Sequence, residues 1–298
     1  MITYNHEKYI SEAIEGVLMQ EVDFAVELLI ADDCSTDRTG EIVQSYIKTD
    51  PRGSWIKYTR QESNIGMMGN FVWALENCKG KYIALCEGDD YWVDMNKLQT
   101  QANFLESHQS YVATYHPAMI YTKNQGIKDD FIAETNFRAS KANFYDVLIY
   151  GNFIHTATFF FRNNYKPFPS YFLDLEVGDF FLYLYISQFG EFKRLDFQGA
   201  VYRFGVGSFS GKSYDSMRKK FKKSLLITAN NTSSILVRLF LKMRFNEDKI
   251  YPINKVIFQS IQFNNLLSLF NYLDIFNLVK AIIKGIFRIE RRRVFPND

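Results

Sequence analysis

Glu87-Gly88-Asp89-Asp90 places three carboxylates within four residues, directly after the apolar run Tyr82–Cys86 and directly before Tyr91-Trp92. A buried strand has no use for clustered acids, because like charges repel and each costs desolvation. Hard divalent cations take oxygen ligands of this kind, so the cluster reads either as a cation site or as an acidic turn. A second acidic pair, Asp32-Asp33, closes the apolar run Val26–Ala31 and opens the turn-forming stretch Cys34-Ser35-Thr36-Asp37. Capping of the following helix accounts for one acid of that pair and leaves the other for binding.

The elements that carry these acids follow from the apolar spacing. Ile10, Ala13, Ile14, Val17 and Leu18 recur at helical intervals within 7–20. Val26–Ala31 reads as a strand, 38–49 as a helix and 55–59 as a weak strand. A helix over 66–78, a strand over 81–86 and a helix over 95–107 capped by Asp94 come next. This alternation predicts a mainly parallel sheet flanked by helices. Ligands of such sheets bind beyond the carboxyl ends of the strands, where both acid clusters sit. Further on, strands are expected over 111–121, 153–162, 191–195 and 199–204, with helices over 143–150 and 180–189. Met1–Asn5 reads as the end of a strand, with the rest of that strand expected upstream. The Gly-rich stretch 205–211 divides a sheet domain, 1–211, from a helical region, 212–298.

Composition narrows the class. Of 298 residues 47% are hydrophobic and 17% aromatic, enough for a large core, which excludes general disorder. Cys34, Cys78 and Cys86 are odd in number with no CxxC pair, as in reduced, intracellular thiols. His6, His108, His116 and His155 lack zinc-type spacing. No leader pattern opens the chain and no uncharged apolar run reaches the ~18 residues that a membrane span needs, so the expected location is cytoplasmic. Residues 1–211 carry 18 Lys and Arg against 27 Asp and Glu, whereas 212–298 carry 17 against 6. Within the basic part, 274–293 sets Ile275, Leu278, Val279, Ile282, Ile283, Ile286 and Phe287 opposite Lys280, Lys284, Arg288 and Arg291. Such an amphipathic helix suits peripheral contact with the anionic inner face of the plasma membrane, or packs on its own domain.

Thr3-Tyr4-Asn5, the run Leu28–Asp37, Asn64-Ile65-Gly66, Gly80–Ile83 and Glu87–Asp90, in this order, resemble a family-2 glycosyltransferase over roughly residues 1–205. The resemblance implies a GT-A (Rossmann-like) α/β fold with a C-terminal helical extension, a nucleotide-sugar donor, Mg²⁺ or Mn²⁺, and inversion at the anomeric carbon. By it Asp33 accepts the imide N–H of a uracil-like base, Tyr4 packs on that base, and Thr3 and Asn64 line the same pocket. Asp89 contacts ribose or metal and Asp90 holds the metal. Glu87 stands where an Asp is commoner, on a longer arm, and is the weakest ligand. Asp179 matches the general base, with helix capping as its alternative role. Tyr202-Arg203 matches a late Tyr-Arg element, but Phe204 follows and no His comes after it; Arg203 is a candidate for the diphosphate and His155 for the acceptor.

The expected activity is transfer of a sugar from a UDP-sugar to a hydroxyl of a glycan or lipid-linked acceptor in envelope polysaccharide assembly, with no nucleic-acid partner. Two alternatives stay open. A nucleotidyltransferase would carry a Gly-rich basic phosphate loop near its N-terminus, and a non-catalytic binding module would lack the metal acids or the base. Gly205–Ser213 ends like a phosphate-binding loop, but five residues rather than four separate Gly205 from Gly211.

Overall fold

The computed structural model describes residues 1–129, 139–207, 211 and 213–245. In chain order the elements are β1 (Ile2–Thr3), α1 (Ile10–Leu18), β2 (Leu28–Asp32), α2 (Thr39–Thr49), β3 (Ile56–Arg60), α3 (Gly66–Asn77), β4 (Tyr82–Ala84), β5 (Tyr91–Trp92) and α4 (Lys97–Ser107). There follow β6 (Tyr111–Tyr115), β7 (Met119–Thr122), β8 (Gly126–Asp129), β9 (Lys141–Ala142), α5 (Phe144–Tyr150), β10 (Phe160–Arg162), α6 (Asp179–Ser187), β11 (Glu191–Arg194) and β12 (Ala200–Arg203). Two helices end the described chain, α7 (Tyr214–Asn231) and α8 (Ile235–Phe245).

The first ladder, β1-β2-β3, is wholly parallel. All five residues of β2 are buried, as a central strand covered on both faces requires. The second ladder, β4-β10-β6-β11-β9, and the third, β5-β12-β7-β8, mix parallel with antiparallel pairs. A backbone bond from the Gly88 N–H to the Ile2 carbonyl (2.9 Å) lays the acidic turn beside β1.

Side-chain alternation along the strands builds one core on each face. Ile83 and Phe161 join α3, α5 and α6 in one core, while Phe160 joins α1, Val43 of α2 and α4 in the other. Helix α6 is buried along nearly its whole length, from Phe180 to Ser187, so its first residue, Asp179, is anchored by a rigid element. Two expected strands are broken. The stretch 111–121 is split at His116-Pro117 into β6 and β7, because Pro has no N–H to donate and restricts the residue before it. The stretch 153–162 keeps only Phe160–Arg162 as strand, after a 3₁₀ turn at Thr156–Thr158.

Helices α7 and α8 pack on the first of these cores. Phe221, Leu225, Val237 and Leu241 belong to it, and Ser224 Oγ accepts the Glu176 N–H at 2.9 Å. The segment 274–293 lies outside the described residues. Among the described residues no helix is long and apolar enough to cross a membrane.

Candidate active site

The loops after β1 and β2 are tied together by their own polar groups. Asn5 adopts φ 55°, a left-handed conformation that Asn tolerates better than most residues. Asn5 donates its N–H to Ser35 Oγ (2.9 Å), and its Oδ1 accepts the Thr36 N–H (2.8 Å). Asp32 is fully buried; its Oδ1 accepts from the Ser35 N–H (2.8 Å) and hydroxyl (2.6 Å), and its Oδ2 from the Tyr58 hydroxyl (2.6 Å). Asp37 accepts from the Thr39 N–H and hydroxyl and from the Glu7 N–H. Asp32 and Asp37 are therefore fasteners. Asp33 instead accepts the Ile65 N–H at Oδ1 (2.7 Å) and lines a cleft. Burial raises its pKa, against the N–H groups of Ile65 and Gly66, which favour the carboxylate.

Thr3, Tyr4, Asp33, Asn64, Glu87 and Asp89 line one cleft of ≈ 290 Å³ beyond the carboxyl ends of β1, β2 and β4. The sequence had assigned all six to donor or metal contacts. Tyr4 is 43% exposed, which leaves much of its ring open to a partner. His6 and Asn70 line the same cleft and were not singled out. His6 lies two residues after Tyr4 in a loop already assigned to binding, which was the available signal. A larger cavity of ≈ 470 Å³ opens at the opposite strand ends, between Leu28–Leu29 and Tyr82–Ala84, and contains none of the predicted site residues.

The turn after β4 is held differently. Gly88 is squeezed between the loops: a Cβ there would stand 2.8 Å from both His6 Nδ1 and Thr3 Oγ1, so only glycine fits. Asp90 is 1% exposed, and its Oδ1 accepts the Arg203 N–H (2.8 Å). Its buried Oδ2 has no hydrogen-bond partner among the described residues, nor have Thr3 Oγ1 and His6 Nδ1. Burial, then the Asp89 charge, pushes Asp90 well above the usual carboxylate range, and burial with Asp89 and Asp90 does the same for Glu87.

An orphaned carboxylate oxygen beside two further acids has the oxygen chemistry that hard cations take, but among the described residues no three His, Cys, Asp or Glu side chains are placed to hold a metal ion. Arg203 does not line the cleft. Its guanidinium is 5% exposed and bonds Glu12 Oε1 (2.8 Å) and the Asp89 carbonyl (2.7 Å) between the rings of Tyr9 and Tyr91. The charge expected at a diphosphate is here paired with Glu12 of α1 and bonded to the backbone of the acidic turn.

Asp179 stands at the start of α6. Its Oδ1 accepts the Phe180 N–H (2.7 Å) and its Oδ2 accepts from Asn152 Nδ2 (2.6 Å). Burial raises its pKa, while these two bonds and the His155 charge favour the carboxylate. His155 stacks on Tyr202 (centroids 4.8 Å apart), and Tyr202 lines the cleft, which puts His155 one ring behind the wall. Asn152 was not singled out in the sequence.

Residues 1–166 match the family model described as glycosyl transferase family 2. The chain belongs to that family. This family-2 chain is 34% identical over 220 residues to the uncharacterized protein Rv1520 of Mycobacterium tuberculosis, a match covering 73% of the chain and 61% of that relative's length. It is 27% identical over 232 residues to WfaP of Escherichia coli, a UDP-Glc:alpha-D-GlcNAc-diphosphoundecaprenol beta-1,3-glucosyltransferase, covering 76% of the chain and 86% of WfaP. In fold it resembles Staphylococcus aureus TarS 1–349 solved with UDP, with a TM-score of 0.59 and 19% identity over 85% of this chain and 73% of that one. The GT-A architecture of this chain is thus shared with that structure.

Proposed function

We propose that this chain is an inverting glycosyltransferase that moves a sugar from a nucleotide sugar, a UDP-sugar in our reading, to a hydroxyl of a glycan or lipid-linked acceptor in envelope polysaccharide assembly. The observation that carries the reading is the convergence of Thr3, Tyr4, Asp33, Asn64, Glu87 and Asp89 on one cleft. A half-exposed aromatic ring beside a carboxylate acceptor suits a base that offers a flat face and an N–H donor.

Asp89 and Asp90, with Glu87 behind them, are the residues that would hold Mg²⁺ or Mn²⁺. When bound, the ion supplies positive charge to the departing diphosphate. Asp179 removes the proton from the acceptor hydroxyl as that oxygen bonds to the anomeric carbon. The bond from that carbon to the diphosphate oxygen breaks, and its electron pair leaves with the nucleoside diphosphate. Arg203, clamped by Glu12, keeps the acidic turn in place. A cytoplasmic location at the membrane's inner face, through 274–293, belongs to the same proposal and is supported by the basic excess of the C-terminal part.

The test is release of nucleoside diphosphate from a panel of nucleotide sugars, with and without Mn²⁺. Metal-dependent turnover is expected, with an Asp179→Asn loss of about 10²- to 10⁴-fold, the usual contribution of a general base. Absence of metal-dependent turnover across the panel, or Asp179→Asn as active as the wild type, would sink the proposal. For the tail, flotation on anionic vesicles should fall after deletion of 274–298.

A further inference from the structure

We propose that Asn152 is a positioning residue for Asp179, holding the carboxylate in one orientation and in its ionised form. The inference rests on the reading of Asp179 as the base and adds to it the group that tunes it. Its origin lies in helix α5, whose two ends are sharply set. At the N-terminus, Asn143 and Asp146 form a reciprocal capping box, in which the Asn143 side chain accepts from the Tyr145 and Asp146 N–H groups. At the C-terminus, Gly151 takes φ 81° and returns its N–H to the Val147 carbonyl at 3.0 Å. A side chain is strained at that φ, so glycine makes the turn that aims the next residue.

That next residue is Asn152. It places Nδ2 2.6 Å from Asp179 Oδ2 across 27 residues of sequence. Both Asp179 oxygens then have a donor, one from its own helix terminus and one from the Asn152 amide. Donors to a carboxylate stabilise its charged form. They are needed here, because burial works in the opposite direction and the carboxyl of Glu87 is close enough for the two acids to disfavour each other's ionisation. The titratable groups facing Asp179 are Glu87, His155 and Tyr183, and of these His155 alone favours the ionised base. Asn152 itself is exposed, so its replacement leaves the core intact.

The experiment compares wild type, Asn152→Ala, Asn152→Asp and Asp179→Asn in the full chain. The Asp179 carboxyl titration is followed by ¹³C NMR, assigned by its loss in Asp179→Asn, alongside kcat and KM for nucleotide-sugar turnover. For Asn152→Ala the titration midpoint should rise by about one pH unit. The same variant should lose about 10-fold in kcat with KM for the donor within about twofold, and its melting temperature should hold. Asn152→Asp should raise the midpoint further, since two acids then share one proton. A midpoint and kcat unchanged in Asn152→Ala, with Asp179→Asn inactive, overturns the inference and leaves the base reading standing. Asp179→Asn at wild-type activity overturns both.

Discussion

The acids at the carboxyl edge of the sheet fall into two regions that treat charge in opposite ways. In the loops after β1 and β2, Asp32 and Asp37 spend their oxygens on hydroxyls and N–H groups of the same loops. In the turn after β4, one oxygen of Asp90 is buried without a donor, and Glu87, Asp89 and Asp90 crowd one another. An acid with its hydrogen bonds made stabilises the fold; an acid left short of donors is held ready for a ligand at some cost in stability. Asp33, with one oxygen bonded and a place in the cleft wall, stands between the two kinds.

Substitutions can break this contrast. The largest effect is expected from Asp90→Asn, which keeps an acceptor for the Arg203 N–H but removes a buried charge. Transfer should fall about 10³-fold, of the order seen when preorganised charge stabilisation is lost, while the melting temperature holds or rises. Asp32→Ala should do the reverse. It loses three hydrogen bonds to a buried carboxylate, so urea denaturation should show a loss of about 3 kcal/mol. If Asp90→Asn proved as destabilising as Asp32→Ala, the two regions would not differ in kind.

A smaller effect concerns the cation beneath the second region. Lys97 is fully buried, lies over the Trp92 ring (4.1 Å) and bonds Gln101 Oε1 (2.8 Å), and burial pushes its pKa down to about 7. Since the unfolded chain binds this proton up to its ordinary pKa near 10.5, unfolding is proton-linked between about pH 7 and 10.5, and stability rises with pH there. Below about pH 7 both states are protonated and the penalty is constant. From pH 7 to 9 the group contributes a rise of about 2 kcal/mol. Lys97→Met should flatten that rise in denaturation curves taken at several pH values.

Much of the fold was legible from apolar spacing alone. The helices carrying Ile10–Leu18 and Phe71–Leu75 and the strand Leu28–Asp32 lie close to where the pattern put them, and the strand expected over 81–86 is present but shorter, as Tyr82–Ala84. The strands at 111–121 and 153–162 were drawn too long, since apolar runs do not reveal where a proline or a turn interrupts pairing. Of the seven residues that the family resemblance named for donor and metal, six line one cleft and Asp90 is buried outside its lining, whereas His6 and Asn152 were given no role and Arg203 turned inward.

By itself, then, the sequence determined that acids stand at strand ends on one edge of an α/β sheet, because periodicity and turn chemistry act over neighbouring residues. Only the tertiary structure decided which acid is a fastener and which faces the cleft. Those roles depend on partners remote in sequence: Tyr58 for Asp32, Arg203 for Asp90, Asn152 for Asp179. A hydrogen bond is decided by the few ångströms between a donor and an acceptor, and those distances exist only once the chain has folded.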